Sequence, residues 1–363
     1  MRRASIVVAI VALVGGVGPS SSAASCWRQV VMPPVNGIIE GADFASASYG
    51  WAVGYRLTPH GVGPISLRWS GGTWRAIPVP KPSAVTYLHD VAVVSEREAW
   101  AVGEQHGGSF VVRWNGASWK RVPAPAPGRS SQLMSIDRDE RTGSMMAAGY
   151  WSDAEGFHPL ILRWTGTRWR ASLLRLGLAD VMLADIAVGR GATWAVGTWS
   201  GRYKALLLRR QGGIWKVVPA PTTAKGRWLT AVDAAGPNEA FAVGNRWEHA
   251  LVLRWNGRRW RPVPATRIPG LAGSRTIHDV AMHRSGETWL AASRSVTVGS
   301  TDPDYGYHPQ AIFHRRGDTW TWESPPKVPY ALLLDVAPVD GSDVWALGGV
   351  AFEDGGHPLA FRC

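Results

Sequence analysis

Cysteine is nearly absent: the 363 residues contain two, Cys26 and Cys363. That count excludes a small disulfide-stapled scaffold and a cysteine-ligated structural zinc centre. Charge is also sparse, at 18% of residues against 45% hydrophobic, so the composition is that of a folded globular chain and not a disordered one. No apolar run reaches the roughly 20 residues that a membrane-spanning helix needs. Catalytic signatures are missing too: there is no His-Glu-x-x-His, Gly-x-Ser-x-Gly, phosphate loop or dinucleotide fingerprint. An active site assembled from several distant segments stays open.

What is present begins with Arg2 and Arg3, an apolar stretch from Ile6 to Val17, and a small, mostly polar segment from Gly18 to Ser25. This pattern is a secretory signal peptide over residues 1–24, with Ser22-Ala23-Ala24 as the small-residue cleavage site. The expected mature protein, residues 25–363, is soluble and secreted, extracellular or attached to the cell surface, and monomeric. Thirty-nine basic residues face 27 acidic ones, a formal charge of +12 that loss of Arg2 and Arg3 would lower by two. A surface of that sign attracts polyanions in a salt-dependent way.

The body of the chain repeats one unit seven times. A representative unit reads Leu88-His-Asp-Val-Ala-Val-Val, a turn, Ala99-Trp-Ala-Val-Gly103, a loop, Phe110-Val-Val-Arg-Trp114, a turn, and Trp119-Lys-Arg-Val-Pro-Ala-Pro125. The Trp-Ala-Val-Gly element ends at Gly54, Gly103, Gly149, Gly197, Gly244, Ala292 and Gly348, at spacings of 46 to 49 residues and 56 for the last. Four short apolar runs separated by Gly, Pro, Asn and Ser read as four antiparallel strands. A four-stranded repeat of this length is a propeller blade, so the expected fold is an all-β, seven-bladed β-propeller. Blades stack on both faces, which explains strands that are apolar at consecutive residues, as in Leu206-Leu-Leu208.

Sixteen of the 21 tryptophans occupy three repeat columns: Trp51, Trp100, Trp194, Trp289 and Trp345; Trp69, Trp114, Trp164 and Trp255; and Trp27, Trp74, Trp119, Trp169, Trp215, Trp260 and Trp320. They are expected to fill the widening gap between blades away from the axis. The chain starts within a unit, since Trp27 to Pro34 matches a fourth strand, and stops within one, since Leu359 to Cys363 matches a third. Joined, they complete one blade and close the ring. In that register Cys26 and Cys363 flank the missing hairpin turn, so export and register together predict a disulfide between them. A lipidated Cys26 is the competing reading.

Basic residues recur on the two outer strands, at Arg68, Arg113, Arg163, Arg209, Arg254 and Arg362, and at Arg28, Arg75, Lys120, Arg170, Lys216 and Arg261. They read either as a ladder packed over indole faces or as a belt for an anionic polymer. The first strand carries Asp43, Asp90, Asp185, Asp279 and Asp335, with Ser135 and Ala231 in the other two units. These either ring the channel for a cation or tie strand ends together through backbone hydrogen bonds. The loop containing Asp302-Pro-Asp304-Tyr-Gly-Tyr-His-Pro309 faintly suggests calcium but lacks the ligands of a full site, and no metal or cofactor is expected.

Ligand-binding candidates are the aromatics outside the repeat columns, on the face built by the loops between second and third strands and between blades. Trp151, Trp199, Trp228 and Trp247 fall there, accompanied by Tyr150, Arg202, Tyr203, Arg246, Glu248 and His249. Aromatic surfaces edged by polar groups suit the stacking of sugar rings.

The Val-Ala, Trp-Ala-Val-Gly, Arg-Trp-Asn-Gly and Trp-x-x-Val-Pro sequence of the unit resembles the tectonin repeats of propeller lectins, and its length resembles the Kelch repeat. The turn Ser70-Gly-Gly-Thr-Trp74 looks like an Asp-box of sialidase-type propellers without its Asp. A Trp-Ala-Val-Gly repeat family of secreted bacterial proteins is the nearest description. The resemblance implies a non-catalytic binding propeller for a glycan or an anionic cell-wall polymer, with no specific recognition of nucleic acid. The alternatives are a polysaccharide-acting hydrolase or lyase, built on groups such as His158, His308, Tyr305 and Asp304, and a protein-interaction scaffold.

Overall fold

The apolar runs of each repeat are too short to be stable alone, and the Gly and Asn turns between them fold each run back against the last. The computed structural model describes residues 26–80, 85–139, 141–172, 174, 176–178, 180–189, 191–200, 204–221, 226–246, 249–272, 275–294, 310–340, 342–350 and 356–363. Among the described residues, 28 strands form seven four-stranded antiparallel sheets, and a 3-10 turn lies at Ala265–Arg267. Residues 1–24, the expected leader, lie outside the described residues.

Blade one uses Ile38–Ser46, Tyr49–Thr58, Gly61–Ser70 and Thr73–Ala76, from the axis outward. The inner strands of blades two to seven are Thr86–Ser95, Ser130–Arg138, Val181–Gly189, Trp228–Gly236, Arg275–Met282 and Ala331–Pro338. Blade seven takes its outermost strand, Arg28–Gln29, from the other end of the chain. Arg28 pairs with Arg362, Gln29 pairs with Phe361, and the Val30 N–H donates to the Ala360 carbonyl at 2.9 Å. The Cys26–Cys363 disulfide spans a sequence separation of 337 with its Cα atoms 4.9 Å apart.

The core lies between blades. Seven buried apolar clusters each join one blade to the next. Tryptophan makes most of the wedges: Trp51 meets Trp114 and Trp119 of the following blade at 4.9 and 4.8 Å between ring centres. Trp194 meets Trp255 and Trp260 at 5.0 and 4.9 Å, and Trp345 meets Trp69 of blade one at 4.8 Å. The glycine of Trp-Ala-Val-Gly serves a close approach: a Cβ at Gly103 would stand 2.1 Å from the Tyr87 carbonyl oxygen. Nothing in the structure explains how blade six accepts Ala292 there.

Opposite that glycine column, every inner strand carries a β-bulge, at Glu40, His89, Met134, Ala184, Thr230, His278 and Leu334. In four blades the residue after the bulge is a carboxylate, Asp90, Asp185, Asp279 or Asp335, and in the other three the carboxylate stands two residues further on. Seven aspartates form a continuous ring: Asp43, Asp90, Asp137, Asp185, Asp233 and Asp279 accept the N–H groups of Val93, Ile136, Val188, Val232, Met282 and Val336 at 2.6–3.0 Å. Asp335 closes it on the Ala42 N–H. The aspartates thus tie strand to strand, one bond per blade junction, and Asp43, Asp90, Asp137, Asp185 and Asp233 line the lower mouth of the channel, a cavity of about 900 Å³.

The ring also corrects the column assignment. Asp43 is aligned with Asp137 and Asp233, two residues beyond the column that holds Gly41, Asp90, Ser135, Asp185, Ala231, Asp279 and Asp335. The two levels alternate from blade one to blade six for a steric reason. A Cβ at Gly41 would lie 2.8 Å from Asp90 Oδ1, so a carboxylate needs a small neighbour at its own level. Seven is odd, and the alternation fails once, where Asp279 and Asp335 share a level and contact each other.

Burial away from water pushes the carboxyls of Asp90, Asp137, Asp185 and Asp335 up, Asp335 further because Asp279 adjoins it. Burial raises Asp279 to about 7. The folded state therefore holds protons that an unfolded carboxyl, near 3.8, has released, and stability falls as pH rises from about 4 to about 7. His278, lowered by burial to about 4, acts in the opposite sense between about 4 and 6.5, one group against the five ring carboxyls and the raised Glu104.

Two outcomes are expected. Cys363→Ser should cost about 4 to 5 kcal/mol in chemical denaturation, since the bond closes a loop with a sequence separation of 337; an unchanged midpoint would show that the seam holds without it. Thermal melts should give a higher Tm at pH 5 than at pH 8. Asp279→Asn, whose amide Oδ1 can accept from Val336 and whose Nδ2 can donate to Asp335, should raise the pH 8 value and flatten the difference. A Tm independent of pH would contradict the raised carboxyls.

Candidate functional site

All inner strands start on one face of the ring, called here the upper face, where second strands end and third strands begin. The residue after the Trp-Ala-Val-Gly glycine, or after its replacement Ala292, stands there in each blade: Tyr55, Glu104, Tyr150, Thr198, Asn245, Ser293 and Gly349. Their cross-strand partners are Ile38, Tyr87, Gln132, Met182, Trp228, Thr276 and Leu332. The scaffold columns repeat almost unchanged, whereas these vary from blade to blade. Blades four and seven supply Met182, Ala184, Leu332 and Leu334, and blades one to three concentrate acid, imidazole and phenol.

In that sector Glu40 hydrogen-bonds His89 Nδ1 across the first blade junction. His89 is 12% exposed, and its Nε2 is buried with no hydrogen-bond partner among the described residues. Tyr87 stacks parallel to His89 at 5.9 Å and meets Tyr55 edge-on at 5.0 Å. Gln132 joins the second and third blades, accepting the Tyr150 hydroxyl at 2.7 Å and hydrogen-bonding Glu104. Phe157 packs edge-on against Tyr150 at 5.5 Å.

Burial is the largest influence on the acids and phenols here. It raises Glu104, with the nearby Glu40 adding to the rise while His89 and Gln132 oppose it. Burial raises Tyr55, with Glu40 contributing, and raises Tyr150, with Glu104 contributing. The phenols therefore stay protonated at neutral pH and serve as hydroxyl donors. The arrangement offers flat aromatic faces beside carboxylate, imidazole and amide groups.

Of the aromatics singled out in the sequence, Trp151 lies near the end of the second strand of blade three, half-buried against the cluster between blades two and three and stacked on His158 at 4.1 Å. His158 bonds Asp153 at 3.0 Å. Trp199 closes the second strand of blade four, packs on the cluster between blades three and four, and has Lys204 Nζ 5.8 Å from its ring centre. Trp228 opens the inner strand of blade five opposite Asn245, and His249, exposed, opens its third strand. Tyr150 belongs to the three-blade network described above, so it joins the predicted aromatics to that network. Arg202, Tyr203, Trp247 and Glu248, the side chain of Arg246, and the loop with Asp304, Tyr305 and His308 lie outside the described residues. Glu40, Tyr55, Tyr87, His89, Glu104 and Gln132 were not expected from the sequence. The signal that could have found them is their variability beside constant scaffold columns.

No protein-family model matches the chain and no curated protein matches it. Solved structures match its fold. YCF48 bound to D1 peptide is 18% identical with a TM-score of 0.60, over 93% of this chain and 96% of that one. YCF48 from Cyanidioschyzon merolae is 17% identical with a TM-score of 0.59, over 92% and 98%. The six-bladed fucose-recognising lectin of the fungus Aleuria aurantia is 13% identical with a TM-score of 0.50, over 81% and 97%. At these identities the likeness is one of fold.

Because Trp151 and Trp199 pack into inter-blade clusters, Trp151→Ala and Trp199→Ala should each cost about 1 to 3 kcal/mol in stability. Urea titration reads this directly, and an unchanged midpoint would return both side chains to the ligand alone.

Proposed function

We propose that this protein is a secreted, non-catalytic binding propeller whose upper face takes a glycan or another cell-envelope polymer. The observation that carries the reading is the polar and aromatic network of Glu40, His89, Glu104, Gln132 and Tyr150 beside Tyr55 and Tyr87. Sugar rings present apolar faces edged by hydroxyls, and this surface presents phenol faces edged by donors and acceptors. Trp151, Trp199, Trp228 and His249 extend the proposed surface toward blades four and five, and Arg202, Tyr203, Arg246, Trp247 and Glu248 are proposed as ligand residues from the sequence alone. The leader at residues 1–24 and a disulfide that needs an oxidising compartment support export.

Two propellers of similar fold, the D1-peptide-bound YCF48 and the fucose-recognising lectin, hold ligands. The peptide complex favours a second reading, a scaffold for an extended polypeptide.

The mature protein on a glycan array should retain a subset of envelope sugars, and Tyr87→Ala should weaken that binding tenfold or more without loss of the fold. Retention of peptides alone would select the scaffold, and shortening of a retained polysaccharide would select the enzyme.

A further inference from the structure

The register of the outer strands places like charges face to face. In blade one Arg68 lies directly opposite Arg75, in blade two Arg113 opposite Lys120, and in blade three Arg163 opposite Arg170. Blades four, five and seven repeat the arrangement with Arg209 and Lys216, Arg254 and Arg261, and Arg362 and Arg28. Blade six alone departs, with His314 opposite Thr321. Directly opposed residues share one side of a sheet, so these are pairs of cations held side by side, an arrangement that destabilises a sheet.

In five of the six pairs the inner member has scaffold work, with Arg68 over Trp114 at 5.6 Å among them, while Arg163 of blade three is exposed. Arg113, Arg209 and Arg362 lie over Trp100, Trp194 and Trp345 at 5.0–5.1 Å from the ring centre. Arg113, Arg254 and Arg362 also reach Glu98, Glu239 and Asp343. The outer member has none. Arg28, Arg75, Lys120, Arg170, Lys216 and Arg261 are all exposed, and none has an ion-pair partner among the described residues. Charge, most often that of Lys, is one of several devices that protect an exposed edge strand. A carboxylate at this column would protect the edge and neutralise the arginine opposite it, yet six blades of seven carry a cation.

We propose that the side wall of the propeller is a binding belt for a linear polymer bearing phosphate groups, held by the paired cations of successive blades. Ten of the twelve side chains are arginine, whose planar fork suits phosphate oxygens. The wall is convex, so a flat bilayer would meet one or two blades, whereas a flexible chain can follow the pairs around the ring. The tryptophans of the third and fourth strands are turned inward and largely buried, and Trp322 is the one exposed tryptophan on an outer strand among the described residues. The belt therefore offers charge without the stacking platforms that single-stranded nucleic acid uses. This surface is separate from the upper face and stands whether or not the glycan reading does.

The test measures binding of the mature protein to long-chain inorganic polyphosphate across a salt series. Arg75→Gln, Arg170→Gln and Lys216→Gln combined should weaken binding tenfold or more and lower the slope of log K against log salt by about two to three. Because repulsion is relieved, Tm should hold or rise. A control that removes the same charge outside the row, Arg97→Gln, Arg168→Gln and Arg258→Gln, should weaken binding much less. Equal loss in both variants would reduce the effect to net charge and overturn the belt. Unchanged binding in the belt variant, or a lowered Tm, would overturn it too. So would tighter binding per phosphate to single-stranded DNA, or preferred binding to vesicles of anionic lipid.

Discussion

Everything in this molecule depends on the joint between neighbouring blades, which is made twice, once near the axis and once toward the rim. Near the axis a carboxylate from one inner strand accepts an N–H from the next, seven times around the channel. Toward the rim an aromatic side chain from a second strand wedges against the outer-strand tryptophans of the following blade. The inner contact is short and directional and sets register; the outer one is broad and apolar and supplies most of the burial. Neither works within a single blade, so a blade is stable only as a member of the closed ring.

Closure brings its own constraint. An alternating arrangement cannot run around an odd ring without one repeat, and here the repeat sets Asp279 beside Asp335. Two carboxyls sharing one level are accommodated by keeping a proton between them. The covalent seam lies in the same blade, where Arg28–Gln29 meets the C-terminal strand and Cys26 bonds Cys363. Blade seven thus carries both adjustments that a seven-fold ring of this chain needs.

The proposed binding surfaces lie where the joints leave freedom. The scaffold columns are fixed by packing, so a ligand can be served only by residues that packing does not dictate. At the upper mouth these are the bulged residues and the residues after the glycine column, which gather Glu40, His89 and Glu104 in adjoining blades. On the rim they are the outer-strand cations, which are exposed and oppose an arginine.

The sequence by itself determined the class, the number of blades, the order of strands and the seam, because each is a property of a repeat that can be counted and of a reading frame that can be completed. It also determined that sixteen tryptophans are structural, since a column shared by most repeats has a use common to all of them. The aspartate ring was half legible: five aspartates were placed together, but Asp137 and Asp233 were passed over, because the β-bulge and the alternation of levels exist only once neighbouring backbones are fixed. Trp151 and Trp199 were recognised as lying outside the repeat columns, while their half-buried packing was decided by the adjacent blade. The network of Glu40, His89, Glu104, Gln132 and Tyr150 was legible in no single repeat. Its members are separated by up to 110 positions and meet only because closing the ring brings blades one, two and three side by side at the channel mouth.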